Sequence, residues 1–359
     1  MKVLFIPSSK DNPYQKLLTA ALTEKGVEVD SNIGFSSSSF NVLCRLIYGI
    51  IRKRKPDIIH VHWLVPFVKY KSRFPVIFDG IIFLATMTLS RFMDIKIIWT
   101  VHNLTSHDFN NQKIEYLITY SFIKLCNAII VHSNTAKFKF MDYFNCSVDR
   151  IKIIPHGNFI SYYKNNVSRD EACRFLKLDP TKKIFLFFGK MRPYKGVESL
   201  IKSFRGISDG NSLLLIAGKP VNDKQKKQLT NLSSKSNNIL LFLKYIPDDE
   251  IQYYMNAADV VVLPYIKIFT SGTLLLAMSY SKSIIAPNLG LIPDILDDKG
   301  GILYEKGDLE KALSNILNIN LEKCGEYNYK KIKNLDWNNI ADKTNEVYMD
   351  CLQNCKKSK

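Results

Sequence analysis

Phe187-Phe188-Gly189-Lys190-Met191-Arg192-Pro193-Tyr194-Lys195-Gly196 is the stretch on which the reading of the chain turns. It follows a continuous apolar run, Lys183–Phe188, of the kind expected for a strand buried on both faces of a parallel sheet. Gly189 at the strand end lets the backbone approach a ligand closely. Arg192 then offers a planar fork and Lys195 a mobile point charge, a combination suited to a diphosphate. The plain alternative is a basic surface turn with Gly196 opening a helix. A second stretch, Pro264-Tyr265-Ile266-Lys267-Ile268-Phe269-Thr270-Ser271-Gly272-Thr273, bears on that choice. Thr-Ser-Gly ahead of the apolar run Leu274–Met278 places backbone N–H groups and hydroxyls at a helix N-terminus. Alone it reads as simple capping; paired with the Arg/Lys loop on the same sheet, it reads as an anion site.

Outward from these loops, short apolar runs alternate with amphipathic stretches to both ends of the chain. Strands are expected at Val3–Pro7, Asp57–Val61, Lys96–Val101, Ala128–Val131 and Lys152–Ile154. After the polar stretch Ser161–Ser168 they resume at Lys183–Phe188, Leu213–Ala217, Asn238–Phe242, Val260–Leu263, Ser283–Ala286 and Gly301–Leu303. Asn12-Pro13 opens a helix that Gly26 closes, and Ser133 caps another running toward Phe144. Helices are expected also at Val197–Arg205, Asp248–Ala257, Gly272–Ser281 and Asp308–Leu317. The architecture is α/β: two doubly wound, Rossmann-like domains joined near residue 165. Residues 1–165 form the first domain and 166–335 the second. Residues 336–359 add a terminal helix, Trp337–Leu352, that can pack on either.

The chain of 359 residues suits two cores of roughly 150–180 residues each. The longest apolar segment, Val76–Met93, is interrupted by Asp79 and Arg91. With about 15 uninterrupted residues against roughly 20 for a bilayer span, it reads as a buried core helix. Seven scattered cysteines without C-x-x-C spacing argue against a disulfide framework or zinc site and fit a reducing cytosol. The net charge of +17 suits nucleic acid, an anionic membrane or a phosphorylated substrate. The clusters Arg52–Lys55 and Lys356-Lys357 are too short for a nucleic-acid tail, so a membrane-facing surface is preferred, for which the helix near Arg45–Lys55 and the apolar Val76–Leu89 segment are the candidates, and no nucleic-acid partner is expected.

In doubly wound sheets ligands bind beyond the carboxyl ends of the strands. His62 with Trp63, His102-Asn103, and Gly218-Lys219 all stand there. Trp99-Thr100-Val101-His102-Asn103-Leu104-Thr105-Ser106-His107-Asp108 places two histidines and an aspartate after a buried strand, making His102 and Asp108 acid–base candidates. A hydrogen-bonded structural histidine is the plain alternative. No Asp-x-Asp or helical His pair marks a metal site.

In order and spacing, these blocks resemble glycosyltransferase family 4 and its relatives of the GT-B fold. The likeness runs through Asp57-Ile58-Ile59-His60-Val61-His62-Trp63, Trp99-Thr100-Val101-His102-Asn103, Val131-His132-Ser133-Asn134 and Ile154-Pro155-His156-Gly157. It continues through Gly189–Gly196, Ala257-Ala258-Asp259 and Pro264-Tyr265, covering nearly the whole chain. The resemblance implies two Rossmann-like domains facing a cleft, the first on the acceptor side and the second binding the nucleotide sugar. It implies that Arg192 and Lys195 bind the donor pyrophosphate, that Ser271, Gly272 and Thr273 meet the distal phosphate, and that His102 lies near the transferred sugar. Gly189, His62, Asn103 and Gly218 complete the expected site. Many members carry two glutamates eight residues apart where Ile268 and Leu276 stand here, so retaining stereochemistry does not follow. The chain instead resembles a Thr-Ser-Gly subgroup of bacterial polysaccharide enzymes.

The implied activity is metal-independent hexosyl transfer from a UDP- or GDP-sugar to a lipid-linked glycan of a surface polysaccharide such as O-antigen or exopolysaccharide. It would take place in the cytoplasm, peripherally on the inner face of the plasma membrane, with no cofactor. An inverting reaction needs a base, His102 or Asp108; in a retaining one His102 would position the sugar. A nucleotide-sugar epimerase of the same fold and a non-catalytic nucleotide-binding protein are the competing readings.

Overall fold

The computed structural model describes residues 1–9, 12–32, 39–52, 55–64, 73–105, 112–146, 149–207, 210–234 and 236–353. They form two compact units, Met1–Gly157 with Leu335–Lys359, and Asn158–Asn334.

In the first unit β1 (Lys2–Ile6), α1 (Pro13–Glu24), β2 (Glu28–Asp30), α2 (Ser39–Ile51), β3 (Ile58–Val61) and α3 (Arg73–Phe92) alternate. β4 (Lys96–Thr100), α4 (Gln112–Leu125), β5 (Ala128–Val131), α5 (Asn134–Phe144) and β6 (Ile151–Ile153) follow. Among the described residues these strands make a six-stranded parallel sheet of order β2-β1-β3-β4-β5-β6. The runs predicted from sequence are its four central strands and the edge strand β6. β2 escapes sequence reading because it is a short edge strand, Glu28-Val29-Asp30, with no apolar run. The Asn12 side chain accepts from Tyr14 N–H at the start of α1, and Ser133 caps α5 in the same way.

The second unit runs through α6 (Arg169–Leu176), β7 (Lys183–Phe188), α7 (Val197–Phe204), β8 (Ser212–Ala217), α8 (Asp223–Ser233), β9 (Ile239–Phe242) and α9 (Ile251–Ala257). It continues through β10 (Val260–Val262), α10 (Gly272–Ser279), β11 (Ser283–Pro287), α11 (Ile292–Ile295), β12 (Gly301–Tyr304), α12 (Leu309–Asn315) and α13 (Leu321–Ile332). Its described strands pair in parallel in the order β12-β11-β10-β7-β8-β9. The polar stretch Ser161–Ser168 belongs wholly to this unit: Tyr280 Oη donates to Lys164 O at 2.5 Å, and Asn166 N–H donates to Gln252 Oε1 at 3.2 Å. The chain passes between units at Gly157–Asn158, because Asn158 is already tied to the Ile332 carbonyl.

The terminal helix α14 (Trp337–Gln353) packs in the first unit. Trp337, Ile340, Val347 and Tyr348 join Val3, Phe5, Leu18 and Leu22 in one apolar core. A Cβ at Gly157 would stand 2.4 Å from the Trp337 ring, so a glycine is needed where the chain passes the indole. The Lys25–Asp342 ion pair at 2.6 Å is largely exposed on its acidic side and adds little beside the buried apolar area.

One expectation fails. α3, read as a buried core helix over Val76–Met93, buries only one face. Phe83, Thr86, Met87 and Ser90 turn inward, whereas Ile77, Phe78, Ile81, Leu89 and Phe92 are exposed, Phe78 by 67% and Phe92 by 86%. A helix apolar all round gives no periodic signal for which face is covered. No described helix is long and apolar enough to cross a membrane.

Replacing Trp337 by Ala removes a large side chain from this core and should destabilise the first unit by about 3–5 kcal/mol. The urea midpoint of the first-unit transition should fall accordingly; an unchanged midpoint would mean that α14 is dispensable to that core.

Candidate functional site

The strand order of the second sheet reverses between β7 and β10, since β8 and β9 lie on one side of β7 and β10 on the other. A crevice for ligands opens at such a reversal, beyond the carboxyl ends of the strands. The two loops singled out in the sequence leave from those two strands and are fastened together. Ile266 N–H donates to Tyr194 O at 2.8 Å, and a Cβ at Gly196 (φ 66°) would lie 1.9 Å from the Pro264 carbonyl oxygen. From the neighbouring strand β8, Gly218 (φ 150°) approaches so closely that a Cβ there would meet the Gly189 carbonyl oxygen at 1.9 Å. Gly218 thus supports the Gly189 backbone from behind.

Gly189 (φ 115°) is the floor of a niche. The point where its Cβ would stand is 3.4 Å from Lys195 Nζ and 3.7 Å from Thr273 Oγ1. Lys195 ends a 3₁₀ turn, Pro193–Lys195, whose N-cap is the half-buried Arg192, and its ammonium lies 5.6 Å from the Tyr265 ring centroid. Ser271 is spent on architecture: its Oγ accepts from Leu274 N–H at 3.2 Å and donates to Tyr265 Oη at 3.3 Å. Gly272 is exposed with open space above it. A lysine ammonium, a threonine hydroxyl and the start of α10 therefore meet around one small backbone-lined niche, an arrangement that attracts phosphate oxygens.

The first sheet reverses between β1 and β3, and there five histidines gather. His60 and His62 come from β3 and its end, His102 from the end of β4, His132 from the end of β5 and His156 from beyond β6. His60 is 0%, His62 1% and His102 6% exposed. Tyr14, at the first turn of α1, sits at their centre, with ring centroids 4.6 Å from His102, 4.9 Å from His156 and 5.1 Å from Trp337. His60 is fastened through Nδ1 to Tyr348 Oη at 2.6 Å and through Nε2 to Thr100 Oγ1 at 2.7 Å. His62 stacks on His60 at 4.2 Å, and neither of its buried ring nitrogens has a hydrogen-bond partner among the described residues. Trp63 stacks on His102 at 4.6 Å. A small cavity is lined by His62, Trp63, His102, Asn103, Glu115 and Thr119.

Burial governs the charge state of this cluster. Loss of water pushes His60 and His156 down to about 3. His62 and His102 are driven well below the ordinary histidine value by the same burial, with neighbouring histidines adding to it, and His132 is lowered too. All five rings are neutral at physiological pH and offer lone pairs as well as N–H groups. They meet by ring faces and edges, and among the described residues no group of three or more His, Cys, Asp or Glu side chains is placed to hold a metal ion.

Of the residues expected from sequence, the structure gathers Gly189, Lys195 and Thr273 in the second unit, with Gly218 beneath and Gly272 beside them. In the first unit it gathers His62, His102 and Asn103. Asp108 lies outside the described residues. Sequence reading missed Tyr14 and Glu115. Glu115 is buried on α4 in line with Ile118, Thr119 and Phe122, and a carboxylate on the inward stripe of an amphipathic helix was the available signal.

Comparison with known proteins follows the same division. Residues 4–158 match the family described as Glycosyltransferase Family 4, and residues 168–333 match Glycosyl transferases group 1. A GDP-mannose:glycolipid 4-beta-D-mannosyltransferase of Xanthomonas campestris pv. campestris is 23% identical over 82% of this chain and 80% of its own. Sucrose-phosphate synthase of Thermosynechococcus elongatus superposes with a TM-score of 0.77 at 16% identity, covering 98% of each chain. HepE of Anabaena in complex with UDP gives 0.73 at 16% identity, covering 98% of this chain and 100% of its own. At these identities the solved structures share the fold.

Two outcomes follow from the histidine cluster. Because the unfolded chain binds protons near pH 6.5 that the folded histidines refuse, stability should be full above that pH and fall steadily on acidification toward 4. Melting scans from pH 8 to 4 check this, and a flat profile would contradict buried neutral rings. His62→Phe should leave stability unchanged or raise it by about 1–3 kcal/mol, since two orphaned polar atoms are removed. A fall of that size in urea titration would mean the nitrogens are satisfied.

Proposed function

The chain belongs to the family-4-like glycosyltransferases of the GT-B fold, and from that premise we propose that it moves a hexosyl group from a nucleoside diphosphate sugar to a hydroxyl of a lipid-linked glycan in surface polysaccharide assembly. The niche where Lys195 Nζ and Thr273 Oγ1 converge over Gly189 at the strand reversal is the observation that carries this reading. Lys195, Arg192 and the N-terminus of α10 meet the charge that grows on the departing diphosphate, so that transfer proceeds in EDTA. The X. campestris relative is described as using GDP-mannose and a glycolipid and forming a β linkage, which makes GDP-mannose the first donor to test beside UDP-sugars.

In the same reading the first unit supplies the base. If a β product is formed here from an α-linked donor, the displacement inverts, and the acceptor hydroxyl must lose a proton as it attacks C1. His102, buried and neutral, takes it. Ile268 and Leu276, where many relatives carry glutamates, leave the second unit without those carboxylates. The exposed apolar faces of α2 and α3 supply the membrane contact: Phe40, Ile47 and Tyr48 on one, Phe78, Ile81 and Phe92 on the other. Arg52 lies 5.5 Å from the Tyr48 ring beside them, and the net charge of +17 favours anionic lipid on the cytoplasmic leaflet.

Thermal melts of wild type, Arg192→Ala and Lys195→Ala across UDP, GDP, TDP, CMP and their sugars test the donor site. The expected result is a rise with one nucleoside diphosphate that disappears in both variants; no response at millimolar ligand would overturn the reading. Donor turnover that needs no acceptor would indicate an epimerase instead. For the membrane contact, wild type should sediment with phosphatidylserine-containing vesicles at low salt, and the Phe78→Ser/Phe92→Ser double variant several-fold less. Wild type remaining in the supernatant would refute that contact.

A further inference from the structure

We propose that His132 is a positioning residue that fixes the His102 ring in the tautomer carrying its proton on Nδ1, which leaves Nε2 bare to accept the proton of the acceptor hydroxyl. The inference rests on the reading of His102 as base, and it follows from three atoms whose roles leave no choice. His132 Nδ1 lies 2.9 Å from the main-chain carbonyl oxygen of Ile154. A carbonyl oxygen only accepts, so Nδ1 of His132 carries the hydrogen. A neutral imidazole has one N–H, so Nε2 of His132 presents a lone pair. That nitrogen stands 3.4 Å from His102 Nδ1, at the long end of hydrogen-bond range. Were His102 protonated on Nε2 instead, two lone pairs would face each other across this gap. His102 Nδ1 therefore donates, and its Nε2 is the basic nitrogen.

The surroundings hold both rings in that state. Among the described residues, Tyr14 from α1, His60 from β3, His62 just after it, His156 from beyond β6 and Glu115 from α4 are the titratable groups packed around the pair. Burial keeps the histidines neutral, and a charged His132 would present two donors and break the relay. Backbone geometry sets the starting point: Ile154 N–H donates to Val131 O at 2.9 Å, so the strand pairing that continues beyond β5 and β6 puts the Ile154 carbonyl where His132 reaches it. His102 Nε2 is itself shielded from bulk water. A hydroxyl reaching it enters by the cavity that His102 shares with Trp63 and Asn103.

The acceptor oxygen bonds to C1 while the C1–O bond to the diphosphate breaks, and the electron pair leaves with the nucleoside diphosphate. The hydroxyl proton passes to His102 Nε2. The resulting imidazolium keeps its Nδ1–H directed at the His132 lone pair, which stabilises the new charge, and it returns the proton to water as products depart.

Long-range ¹H–¹⁵N correlation spectra of the full chain, labelled with ¹⁵N-histidine, distinguish the two tautomers. Wild type should show His102 protonated on Nδ1. In His132→Phe that tautomer should no longer be held. Transfer kcat should fall on the order of 10²-fold, within the range a general base contributes, with the donor KM unchanged. His132→Gln, whose amide oxygen can take the same hydrogen, should restore much of both. A wild-type spectrum with the proton on Nε2, or an unchanged His102 tautomer in His132→Phe, would overturn the proposal even in an active enzyme. Absence of transfer by the wild type would instead overturn the transferase reading and the catalytic half of this one, while the spectrum still decides the tautomer.

Discussion

A strand in a parallel sheet can be followed by another only after the chain has crossed back over one face, so every carboxyl end points to the same edge. This constraint organises each unit. In both sheets the strand order reverses once, between β1 and β3 and between β7 and β10, and crossovers that lie on one side elsewhere part there. The residues that bear chemistry stand at those reversals because that edge is where loops are free of the sheet ladder.

The two units use the edge differently. In the second, backbone does most of the work. Gly196 and Gly218 allow loops to approach where any side chain would collide with a carbonyl oxygen, and Gly189 keeps open the floor over which Lys195 and Thr273 converge. Such a site is rigid and cationic, suited to an anionic group of fixed geometry. In the first unit, side chains fill the edge. Five neutral histidines, Tyr14, Trp63 and Trp337 pack as rings, with hydrogen-bond direction set by main-chain carbonyls and hydroxyls. A site of that kind handles protons and hydroxyl groups more readily than fixed charge. In the proposed reaction the second unit would grip the donor and the first would activate the acceptor.

The terminal helix α14 shows how remote sequence enters this plan. Tyr348 reaches His60 across 288 positions of chain, and Trp337 packs against His156 and Tyr14. The helix closes the core beneath the histidine cluster. Its unit is therefore closed by contacts of large sequence separation, which are entropically costly to form.

Continuous apolar runs, glycines after strands and capping residues before helices were legible in the sequence, because each is a local requirement of backbone geometry: a buried strand must be apolar, and a close approach must be glycine. They determined the two doubly wound units, the β7 loop and the start of α10. The sequence left open which domain takes α14, and it suggested a buried α3 where one face is exposed, because an apolar helix carries no record of its neighbours. Tyr14, Glu115 and the pairing of His132 with His102 were likewise decided by tertiary structure. Their roles depend on which strands lie side by side, and a carbonyl at Ile154 can direct a proton on His102 only once β4, β5 and β6 are in register.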